Sequence, residues 1–137
     1  MGALPPRYSF FLNPYPNEAF TRCPRCRAQT RVRKLVLVTH VDSVGLVLIR
    51  KTCRLCVVCE MLIANGHEME LVITGRDSQK VGRREYVVLG TLDARTWHRG
   101  LSGHVTLDEV KEAMADFKAY VQVDITPRHW SRRSDAT

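Results

Sequence analysis

Cys23-Pro24-Arg25-Cys26 and Cys53-Arg54-Leu55-Cys56-Val57-Val58-Cys59 hold all five cysteines of this 137-residue chain. A Cys-x-x-Cys turn offers two sulfurs to one metal, and two such turns at this separation close a tetrahedral thiolate site around zinc. A disulfide framework fits poorly. The cysteine count is odd, the cysteines lie in two tight clusters, and Met1-Gly2-Ala3-Leu4-Pro5-Pro6-Arg7 lacks the charged start and long apolar run of a secretory leader. A redox Cys-x-x-Cys stands alone at the strand-to-helix junction of a βαβ unit, and neither cluster has that context.

Five cysteines compete for four ligand places, and the stretch between the clusters bears on the choice. Leu35 to Val41 and Leu46 to Ile49 are β-branched and aliphatic runs on either side of Asp42-Ser43-Val44-Gly45, which reads as a hairpin turn. A turn centred between Ser43 and Val44 sets Cys59 opposite Ala28, Cys56 opposite Arg31 and Cys53 opposite Lys34. Cys53 is then the farthest from Cys26 at roughly 3.3 Å per strand residue. The expected ligands are Cys23, Cys26, Cys56 and Cys59, with Cys53 the spare; in the alternative, Cys53 replaces Cys59.

The formal net charge of +7 is unevenly spread. Residues 1 to 54 carry ten Lys or Arg against Glu18 and Asp42, so the surplus belongs to the cysteine-bearing half. Arg25, Arg27, Arg31, Arg33, Lys34, Arg50, Lys51 and Arg54 gather around the two turns and the hairpin base, where they are the candidate contacts for nucleic-acid phosphates. The alternative is a solvated ribbon face whose cations offset the charge of a four-thiolate zinc centre.

The rest of the chain supports an α+β protein in one domain: a zinc-ribbon part over residues 8–64, a strand-plus-helix part over 65–125 packed on it, and a basic, flexible C-terminal tail over 126–137. Residues 8 to 20 are aromatic and broken by Pro14 and Pro16, which excludes a helix and suggests an extended segment covering the core; the aromatics could alternatively stack on bases. Glu60 to Ala64 reads as a third ribbon strand. Asn65 with Glu68 resembles a helix N-terminus for a helix reaching Gly75, although Asn65-Gly66 also fits a hairpin turn between two strands. Gly75 to Arg84 is a polar loop. Tyr86 to Leu92 carries a continuous apolar run, the mark of a strand buried on both faces at the centre of a second small sheet. Thr106-Leu107-Asp108-Glu109 is a capping box, and Leu107, Val110, Met114, Phe117 and Val121 follow at helical spacing, so a helix is expected over 107–121. Gln122 to Ile125 reads as a short closing strand.

Phe10-Phe11-Leu12-Asn13-Pro14, Phe20-Thr21-Arg22-Cys23-Pro24-Arg25-Cys26, Arg33-Lys34-Leu35, Lys51-Thr52-Cys53-Arg54-Leu55-Cys56 and Val88-Leu89-Gly90-Thr91-Leu92-Asp93 together resemble a family of bacterial zinc-ribbon-like proteins of uncharacterised activity. The resemblance covers most of residues 10 to 100. It implies fold and metal, with no activity to transfer. Members keep a proline after the middle cysteine of the second cluster, where this chain has Val57.

Catalytic patterns are weak. His40, His67, His98, His104 and His129 are dispersed, with no HExxH, nucleophile elbow or phosphate-cradling loop. A closed four-cysteine zinc has no open position for water or substrate, so one structural zinc and no enzyme activity are expected. No run of 18 apolar residues marks a membrane span, and thiolate ligands suit the reducing cytoplasm. Two functions remain: a nucleic-acid or ribonucleoprotein binding module using the basic ribbon face, or a protein-interaction adaptor in which zinc holds the fold. In the second, Arg95-Thr96-Trp97-His98-Arg99-Gly100, read as a loop, or the C-terminal tail meets the partner.

Overall fold

A computed structural model describes residues 1–75, 85–102 and 106–123. The elements run β1 (Ser9–Asn13), β2 (Arg31–Val41), β3 (Gly45–Cys56), β4 (Met61–Asn65), α1 (Gly66–Gly75), β5 (Tyr86–Leu92), α2 (Ala94–Ser102), α3 (Leu107–Ala113), β6 (Met114–Asp116) and β7 (Ala119–Val121). The seven strands form one sheet in the order β6-β5-β2-β3-β4-β1-β7, which makes the protein mixed α+β.

The two edge strands are consecutive in the chain, separated only by Phe117 and Lys118. So short a link forces the sheet to curl until its ends approach. Three hydrogen bonds hold the seam: Phe117 N donates to Leu89 O at 3.1 Å, Lys118 N to Tyr8 O at 2.8 Å, and the Tyr120 hydroxyl to Val88 O at 2.5 Å. Inside the curl, Phe10 stacks on Phe117 with ring centroids 4.5 Å apart, among Leu37, Ile49, Leu55, Leu62 and Val88. Helix α1 adds Met69 and Ile73 to this core, and its N-terminus is capped where Glu68 N donates to Asn65 Oδ1 at 3.0 Å.

Strand periodicity then assigns the faces. Leu35, Leu37 and Val41 of β2 point into the curl, whereas Val36 and Val38 point outward and are covered by Val110, Met114 and Trp97. The β2–β3 hairpin carries these faces over its full length, with register Val41↔Gly45 to Arg31↔Leu55. Its turn places Ser43 at φ 68° and Gly45 at φ 105°, and Val44 N closes it on Val41 O at 3.0 Å.

Several expectations are corrected. The turn centres on Ser43, so Arg33 faces Cys53 and Arg31 faces Leu55, one residue from the anticipated register. Tyr86 to Leu92 is not in a second sheet: β5 lies between β2 and β6, and its burial alternates, with Val87 exposed and Val88 buried. The helix begins at Leu107 as expected, capped by Thr106, whose hydroxyl accepts from Glu109 N at 3.1 Å, but it ends at Ala113. A helix to 121 would keep Val110, Met114 and Phe117 on one stripe. Here Val110 and Met114 cover the outer face while Phe117 enters the curl, and Met114–Asp116 pairs with the edge of β5 instead. The closing strand is Ala119–Val121 rather than 122–125; Gln122 and Val123 belong to no strand, and residues 124 and 125 lie outside the described residues. Arg95 to Gly100 is helical, within α2. The polar loop beyond Gly75 and the C-terminal tail also lie outside the described residues.

Gly90 allows the approach of β6, because a Cβ there would stand 2.1 Å from Ala115 O. Gly90→Ala is therefore expected to push β6 off the sheet and cost about 1–3 kcal/mol, the range for overpacking a close contact. Urea denaturation checks this, and an unchanged midpoint would mean that β6 does not approach the sheet so closely.

Candidate metal centre

The chain builds two turns of the same form. Around Cys23-Pro24-Arg25-Cys26, Arg27 N donates to Cys23 O at 2.9 Å and Cys23 N to Ala28 O at 2.8 Å. The amides of Arg25 and Cys26 point at Cys23 Sγ, at 3.3 and 3.5 Å. In the second turn, Cys59 N points at Cys56 Sγ at 3.4 Å. The residue after each second cysteine is left-handed, Arg27 at φ 70° and Glu60 at φ 53°. Glycine favours this conformation, so the sequence hides the repeat behind an arginine and a glutamate.

The two turns meet. The sulfurs of Cys23, Cys26, Cys56 and Cys59 all lie within 4.8 Å of one another, a group that could hold a metal ion. Cys23 and Cys59 are 3.9 Å apart and Cys26 and Cys56 3.5 Å; every cysteine is free, so neither pair is a disulfide. Cys53 is elsewhere for a simple reason. It lies three residues before Cys56 in the same strand, so the pleat sends it to the opposite face, into the core with Leu55 and Ile49.

The surroundings treat the sulfurs differently. The backbone hydrogen bond from Ala28 is the chief cause that draws the Cys26 thiol down to about 7. Cys59 is pushed up to about 12, first by its hydrogen bond with Cys26 and then by burial. Burial also raises Cys56 and takes Cys53 up to about 12. Four thiols so close share protons among themselves, and a bound cation would replace those protons.

Beneath the cysteines lies an aromatic platform. Phe11 and Phe20 meet edge to face at 5.3 Å and pack with Cys23, Cys56, Met61 and Ile63. Two buried polar residues, absent from the sequence-derived site, hold the approach to the first turn. Asn13 accepts from Tyr15 N and donates to Glu18 O, both at 2.8 Å, and the Thr30 hydroxyl donates to Phe20 O at 2.8 Å. An asparagine before proline and a threonine ahead of a strand are too common to signal such roles.

The expected basic residues do not form one face. Arg31 and Arg33 share the inward parity of β2, whereas Lys34, Arg50 and Arg54 have the outward parity of the hairpin. Lys51 pairs with Glu68. Arg54 reaches Thr30 Oγ1 at 3.3 Å and so supports the first turn. Arg25, Arg27, Arg31, Arg33, Lys34 and Arg50 are exposed. Tyr8, Phe10, Phe11 and Phe20 are buried and unavailable to stack on bases. His40, His67 and His98 are exposed on three different elements and do not join the cysteine group.

No family model, no curated protein and no solved structure matches the chain. No helix among the described residues is long and apolar enough to cross a membrane. The site must be read from its own chemistry.

Metal retention separates the cysteines. Cys53→Ala is expected to keep its metal, while Cys26→Ser and Cys59→Ser each open the group and lose it. Metal content per chain after gel filtration is the check. Loss in Cys53→Ala together with retention in Cys59→Ser would reverse the assignment.

Proposed function

We propose that the protein is a zinc-stabilised basic binding protein of zinc-ribbon type, whose cationic hairpin end contacts nucleic acid or a ribonucleoprotein. Zinc is favoured because tetrahedral zinc thiolates at about 2.3 Å set sulfur–sulfur edges of roughly 3.8 Å. The distances of 3.5 and 3.9 Å fall on either side of that value. Four thiolates fill the coordination sphere, so the zinc has a structural role, and we read the protein as a binding module rather than an enzyme. Free cysteines suit a reducing compartment, which supports a cytoplasmic home.

The observation that carries the nucleic-acid reading is the set of exposed cations at one end of the hairpin. Arg25 and Arg27 in the first turn, and Arg31, Arg33, Lys34 and Arg50 on the strands beside it, make no ion pair among the described residues. Cations held by a rigid, metal-tied turn and left without acids are suited to phosphates. A second reading, a protein-interaction adaptor, is favoured by Val57 and Val58, which are 51 and 69% exposed at the tip of the second turn.

Salt dependence tests the choice. Replacing Arg31, Arg33 and Lys34 together with Gln should lower affinity similarly for every sequence. It should also flatten the log-log salt slope by about 2 to 3, at roughly 0.7–0.9 for each phosphate no longer neutralised. Fluorescence anisotropy with short labelled RNA and DNA measures both. No binding to either at low salt, with folded metal-loaded protein, would favour the adaptor.

A further inference from the structure

Strand β2 is longer than the partner on its outer side. It pairs with β3 from Arg31 to Val41 but with β5 only from Val36 onward, because β5 stops at Leu92 and the chain turns into α2. The edge of Arg31–Leu35 is therefore unpaired among the described residues. A groove of about 560 Å³ opens there. One wall is the strand edge itself, so Arg33 and Lys34, which alternate in face, both line it, with Arg50 beside them. Trp97 of α2 forms the second wall, held by its packing against the cluster of Val36, Val38, Leu92, Val110 and Met114 on the outer face. The third is Pro5, Pro6 and Arg7, pinned where Arg7 N donates to Asp116 O at 2.8 Å.

The charge of this groove is one-sided. Its acidic member, Asp93, is already committed to the N-terminus of α2, where its Oδ1 accepts from Thr96 N at 2.8 Å. Four cations, a tryptophan and two proline rings are left around a cleft that is partly apolar. Phosphates alone would be met as well by an open cationic surface. The apolar walls call for planar groups as well, and unpaired bases supply them next to phosphates. A duplex keeps its bases stacked inside, away from such walls.

We propose that this groove binds a single-stranded nucleic acid, with a base against Trp97 and the adjoining phosphates on Arg33, Lys34 and Arg50. This rests on the nucleic-acid reading above, and sharpens it from a basic surface to a strand-selective groove.

The test uses the metal-loaded 137-residue chain carrying Trp130→Phe, which leaves Trp97 as the sole tryptophan of the two in the sequence. Oligo(U) and an RNA duplex of equal length are titrated while Trp97 emission and the anisotropy of labelled RNA are followed. Oligo(U) is expected to bind at least tenfold tighter than the duplex and to quench Trp97. Trp97→Leu should weaken oligo(U) binding about five- to 160-fold, the range for loss of one stacked base, and leave the salt slope unchanged. Lys34→Gln with Arg50→Gln should flatten that slope. If Trp97→Leu fails to fold, quenching decides alone. Equal binding of duplex and single strand, or binding without quenching, would overturn the groove and leave the broader reading standing. Absence of binding to either RNA would overturn both, and equal competition by poly-glutamate would reduce the groove to an unselective cationic patch.

Discussion

Four cysteine sulfurs within 4.8 Å of one another cannot all ionise unaided, because each negative charge raises the proton affinity of its neighbours. Cys59, raised first by its hydrogen bond with Cys26 and also by the charge of Cys23, expresses this constraint. Satisfied by a dication, the same arrangement ties the segment before β2 to the end of β3, and so fixes both ends of the long hairpin. β4 begins two residues after Cys59, so the tie also sets where the third strand of this run enters the sheet. The hairpin in turn is the spine of the curl: β5 and β6 are added on one side, β4, β1 and β7 on the other.

The local parts of this arrangement were legible in the sequence because their signals are local. Two Cys-x-x-Cys turns, a β-branched hairpin, the Asn65 cap and the Thr106 capping box each lie within a few residues. The hairpin register was missed by one because the turn is tighter than Asp42-Ser43-Val44-Gly45 suggests, with Ser43 taking a left-handed backbone more typical of Gly or Asn. Strand parity nevertheless separates Cys53 from Cys56, since residues three apart in a strand face opposite ways.

The sheet order was not legible. Nothing in residues 9 to 13 says that they will lie parallel between β4 and β7, and nothing in Met114-Ala115-Asp116 says that the edge of β5 will claim them from a well-started helix. Val110, Met114, Phe117 and Val121 fit a helical stripe. The curl sends Phe117 to the other side of the sheet, where its partner, Phe10, is more than a hundred positions away. The facing of the cations was not legible either: clustered Lys and Arg in the sequence do not reveal which face each strand residue takes, nor that Lys51 and Arg54 are drawn into bonds with Glu68 and Thr30.

The proposed zinc site puts all four sulfurs of the two turns on one ion. Zinc-edge X-ray absorption on the purified protein measures the coordination shell directly. A closed site of four cysteines gives a single shell of four sulfurs at about 2.3 Å. A shell containing nitrogen or oxygen, or fewer than four sulfurs, would contradict it.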